Sequence, residues 1–98
     1  MQEQLTDYQQ ELRERISHVV DKLIRGSSFY MVKLEQHEMT EMLIELFSRF
    51  SPEEMRAIQE HDLTRRIDKI LVLDAVAGTL NDLTPEEIAI FDAAVAGK

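Results

Sequence analysis

Leu5, Tyr8, Leu12, Ile16, Val19, Val20, Leu23 and Ile24 recur at spacings of three and four along the first quarter of the chain. Side chains at that spacing share one side of an α-helix, so the row predicts an amphipathic helix over residues 4–25. Gln9, Arg13, Asp21 and Arg25 fall on its polar side. Gly26 is placed to end it in a left-handed C-cap, with Ser27 or Ser28 able to cap the next helix.

The next stretch carries two signals. Phe29-Tyr30-Met31-Val32-Lys33-Leu34 has the aromatic and branched content of a short strand. No glycine or proline stands between Ser28 and Ser51, however, and Met39, Met42, Leu43, Leu46, Phe47 and Phe50 follow helical spacing. One helix over residues 28–49 is the expectation, although Glu35-Gln36-His37-Glu38 thins the apolar row for a turn.

Two helix starts are written in full. Ser51-Pro52-Glu53-Glu54 and Thr84-Pro85-Glu86-Glu87 each supply a hydroxyl N-cap, a proline at the first helical position and a glutamate able to close a capping box. Phe50 with Met55, and Leu83 with Ile88, stand at the positions of a hydrophobic staple across each cap. These blocks predict helices over 52–60 and 85–96. Between them a helix over 63–77 is expected, capped by Asp62 and ended by Gly78, as Gly97 ends the last one. Ile70-Leu71-Val72-Leu73 leave that helix little room for a wet face, which predicts a central position. The capping block recurs after 33 residues, but two copies with unlike sequence between them do not make a repeat array. The expected fold is all-α, a compact bundle of four to five short-to-medium helices forming one domain over residues 1–98.

Composition narrows the function. The 98 residues are 44% hydrophobic and 31% charged, an ordinary globular balance. The absence of cysteine leaves no disulfide, thiolate chemistry or thiolate zinc site. The net charge is −8, which repels phosphate backbones at long range and makes nucleic acid an unfavoured partner. Residues 70–98 hold five acids and one base, Lys98. No apolar run of membrane-spanning length and no leader pattern occurs, so a soluble cytoplasmic protein is expected.

Chemistry-bearing residues do not assemble in the sequence. His37 and Glu41 lie one turn apart without the second histidine of a zinc-protease motif. Glu14 precedes His18 by four residues rather than the three of di-iron bundles. His61 falls at a turn. Glu38, Glu41 and Glu45 form an acidic row that a metal-dependent helical enzyme could use, but nothing near them plays the part of the phosphate-binding bases convincingly. No nucleophilic triad or glycine-rich phosphate loop is present, and neither a cofactor nor a metal is expected. The one basic cluster, Arg65, Arg66 and Lys69, offers an alternative reading as a nucleic-acid-binding module. Asp62 and Asp68 flank it, and intrahelical pairing with Asp62 accounts for it as well.

What is left is apolar excess. Ile88-Ala89-Ile90-Phe91-Asp92-Ala93-Ala94-Val95-Ala96 is apolar nearly all round. Phe29, Tyr30 and Met31 raise the same question, and the methionines at 31, 39, 42 and 55 suit either a core or an adaptable contact surface. Phe29, Tyr30, Met31, Ile88, Phe91 and Val95 are therefore the candidate partner-binding residues. The expectation is a non-catalytic interaction or regulatory protein, more a binder than an enzyme, working through helix faces as a homodimer.

Overall fold

A computed structural model describes residues 2–78 and 83–98, with side chains from residue 7 onward. Six helices are described, in chain order: α1 (Gln2–Arg25), α2 (Ser28–Lys33), α3 (Gln36–Phe47), α4 (Pro52–Ala57), α5 (Glu60–Ala77) and α6 (Pro85–Val95). The fold is an all-α bundle, as expected, with one helix more than the upper expectation. Its radius of gyration is 13.5 Å, close to the ~13 Å of a compact chain of about 100 residues.

The long first helix is the backbone of the bundle. Leu12, Ile16, Val19, Val20 and Ile24 are buried along one side of α1, and Tyr8 and Leu23 pack at the edge of the same core. The side chain of Leu5, placed on this row by its spacing, lies outside the described residues. α1 packs on α2, α3 and α5, and α5 packs in turn on α2 and α6. Phe47, Leu43, Leu63, Ile67, Ile70 and Leu71 complete the fully enclosed centre. Each such side chain contributes roughly 1.5–3 kcal/mol by leaving water.

The capping signals resolve as written. Ser51 and Thr84 each accept from the backbone N–H of the glutamate three residues on, and Glu54 and Glu87 accept in return from the cap N–H groups. Gly78 and Gly97 take the left-handed conformation with φ of 83° and 84°. That region carries a steric cost for any side chain, which is why glycine stands there.

Four expectations need correction. Gly26 does not adopt positive φ; α1 ends instead with the Gly26 and Ser27 amides turning back to Lys22 O and Ile24 O at 3.1 and 3.2 Å. The segment 28–49 is two helices. Leu34 is extended, and the Glu35 carboxylate accepts from the Glu38 amide at 2.6 Å, filling the place more often held by Ser or Asp. That bend turns both Tyr30 and Leu34 into the core. α5 starts at Glu60 behind Gln59, which makes no side-chain cap, so Asp62 lies inside the first turn. Finally, α5 is not buried all round. Ile70, Leu71 and Leu73 are enclosed, but Val72 and Val76 face outward.

A candidate interaction surface on α2, α5 and α6

The basic cluster of α5 is turned onto the end of α6. Arg65 donates to Asp62 Oδ1 at 2.5 Å and to Gly97 O at 3.0 Å. Arg66, with only 13% of its side chain exposed, donates to Asp62 Oδ2 and to Val95 O, both at 3.0 Å. Lys69 Nζ reaches Lys98 O at 3.3 Å. The last carbonyls of a helix lack intrahelical partners and carry partial negative charge, so cations are favoured there. α6 has no basic residue in its own last turn; α5 supplies them. The Arg65 hydrogen bond above all, then that from Arg66, holds the Asp62 carboxyl below the usual carboxylate range. The arginine donors are thus committed to protein acceptors, and the nucleic-acid reading gains nothing from their placement.

The acidic row is likewise dispersed. Glu41 pairs with Arg13 across α1 and α3, and that hydrogen bond holds its carboxyl below the ordinary range. Among the described residues, no group of three His, Asp or Glu side chains is gathered to hold a metal ion. Nor does any described helix have the length and apolarity to cross a membrane.

The apolar candidates divide. Tyr30 is only 6% exposed and sits in the core, its hydroxyl donating to Asp68 Oδ1 at 2.7 Å. Burial, then the Asp68 hydrogen bond, pushes that phenol well above its ordinary range. Phe91 and Val95 pack partly buried against the core, as do Met39 and Met42, and Met55 is enclosed. Phe29, Met31 and Ile88 remain exposed.

Three residues outside the candidate set join the rest. Val72, Val76 and Ile90 are 42%, 71% and 54% exposed. They line a groove of about 480 Å³ between α5 and α6, floored by Leu73, Ala93 and Ala94. Val72 also lines the adjoining hollow beside Phe29. A single apolar surface therefore runs from α2 over α5 to α6. A signal for it lay in the sequence: Arg65, Lys69, Val72 and Val76 are spaced by four, three and four, so the two valines share a stripe with exposed cations and not with Ile67 and Leu71.

No protein-family model matches the chain. Neither the curated proteins nor the solved structures yield a significant match.

Proposed function

We propose that this chain is a small non-catalytic interaction protein, one helical domain over residues 1–98, that works through helix-face contacts as a homodimer. The observation that carries the reading is the continuous exposed apolar surface of Phe29, Val72, Val76 and Ile90. Scattered apolar side chains are normal on a protein surface, but a contiguous run of them marks a contact site. Of the charged side chains lining the groove, Asp68 accepts from the Tyr30 hydroxyl and Lys69 reaches Lys98 O, while Arg65 and Arg66 beside them pair with Asp62. Phe29 belongs to the proposed contact face and Tyr30 lines it from within the core, whereas Phe91 lines a separate hollow against α3 and the exposed Ile88 turns away from Ile90.

Sedimentation equilibrium over a wide concentration range tests the proposal. A dimer is expected, converted to monomer by Val76→Glu with helical circular dichroism unchanged. A strict monomer at high concentration, or turnover of a substrate by the purified protein, would remove it.

A further inference from the structure

The groove between α5 and α6 has unlike ends. α5 and α6 run antiparallel, since Arg65 and Lys69 on α5 meet Gly97 and Lys98 beyond the end of α6. At that end stand Lys69 and Lys98, together with Asp68, whose carboxylate is taken up by the Tyr30 hydroxyl. Lys98 is the single base in residues 70–98. At the other end Val76 and Ile90 project, and one turn before Ile90 on the same row the exposed Glu86 opens α6. A surface that is basic at one end, apolar along its length and acidic at the other complements itself when turned end over end.

The geometry points to a second copy of this chain as the occupant, bound about a two-fold axis through the middle of the groove near Val72. This rests on the dimer reading above and gives it a specific seat. In such an isologous contact each residue meets the residue that meets it in return. Lys69 and Lys98 of one copy then face Glu86 of the other, and Val76 of each lies over the small floor made by Ala93 and Ala94. The pairing also brings each lysine end against a chain that is acidic as a whole.

Cysteine cross-linking tests the register, because the chain has no cysteine of its own. Val72→Cys, near the axis, is expected to form a disulfide dimer under mild oxidation. Val76→Cys is not: it lies one turn, about 6 Å, from the axis, so the two copies are about 12 Å apart along the helix. Disulfides need Cα atoms within about 7 Å. Ala57→Cys, exposed on α4, which lines neither the groove nor the hollow beside Phe29, sets the background. Glu86→Lys and Lys98→Glu should each raise the dimer dissociation constant about two- to fivefold, the double reversal returning it toward the original. A dimer that cross-links through Val76→Cys as readily as through Val72→Cys, or ignores both reversals, overturns the seat and leaves the dimer standing. A monomeric parent protein overturns both.

Discussion

The Tyr30 hydroxyl donates to the Asp68 carboxylate at 2.7 Å and so ties α2 to α5 beside the apolar groove. Both partners come from places where sequence pattern is silent. Tyr30 stands in a segment with strand-like composition inside a stretch read as one helix, and Asp68 lies among arginines that suggest ion pairing instead. Tyr30→Phe should cost about 1 kcal/mol, the ordinary net value of one hydrogen bond, measured by urea unfolding.

The same bond sets an alkaline limit. Burial and Asp68 raise the Tyr30 pKa above its ordinary 10.0, and burial raises that of Tyr8 as well. A folded-state value above the unfolded one gives stability that is complete below pH 10 and lost as pH rises beyond it. Melting temperature should therefore fall above pH 10, with a shallower slope in the Tyr8→Phe, Tyr30→Phe double variant.

Arg66 is the closest fastener of α6. Of that helix only Ala94 is buried, so its attachment depends heavily on the guanidinium that bridges Asp62 and Val95 O. Arg66→Ala should cost about 2–3 kcal/mol, the range for hydrogen bonds to charged groups, and speed amide exchange in α6 more than in α1. Arg66→Lys should recover little, because one ammonium cannot span both acceptors as a planar fork does. Gly97 is the counterpart test. Its φ is +84°, and a Cβ there would lie 2.6 Å from Arg66 Cζ. Gly97→Ala should loosen α6 in the same exchange experiment.

Asp74 is a residue that α5 would be steadier without. It lies in the last turn of the helix, where a negative charge opposes the macrodipole, and α5 has no base in that turn. Partial burial, then the nearby charge of Glu38, raises its carboxyl above the ordinary range. The stabilising protonated form is present below the unfolded pKa near 3.8 and is lost as pH rises through the higher folded value. Asp74→Asn should accordingly raise stability at pH 7 by about 0.3–1 kcal/mol, and the gain should vanish at pH 3.

How far the sequence reaches depends on how local the physics is. The caps at Ser51 and Thr84 are legible because cap, proline and glutamate lie within four residues and interact with one another. The bend at Leu34-Glu35 is not, since a glutamate cap looks like any surface acid until Tyr30 and Leu34 are drawn into the core. The clasp on α6 needs Arg66 and Val95 to meet across 29 positions. The exposed groove is half legible. Val72 and Val76 share a stripe with the exposed Arg65 and Lys69, but nothing local marks Ile90 of α6 as the wall facing them.

The corner between α4 and α5 depends on one side chain from α1. Arg15 donates to Met55 O at 2.7 Å and to Ile58 O, and its Nε lies 3.4 Å from Glu60. Met55 and Ile58 are core side chains at the end of α4, and Gln59 provides no side-chain cap for α5. Without the guanidinium, Ile58 O at a partly buried helix end would lose its donor, while Met55 O would keep the Ile58 N–H at 3.1 Å. An unsatisfied buried acceptor costs about 1–3 kcal/mol. Arg15→Ala should therefore destabilise by about 1–3 kcal/mol in urea unfolding, one acceptor being orphaned, and well beyond the effect of Arg13→Ala. Arg13 pairs with Glu41 in the open, where solvent and salt screen an ion pair and little stability is gained. Equal losses at the two positions would show that the corner is held by packing alone.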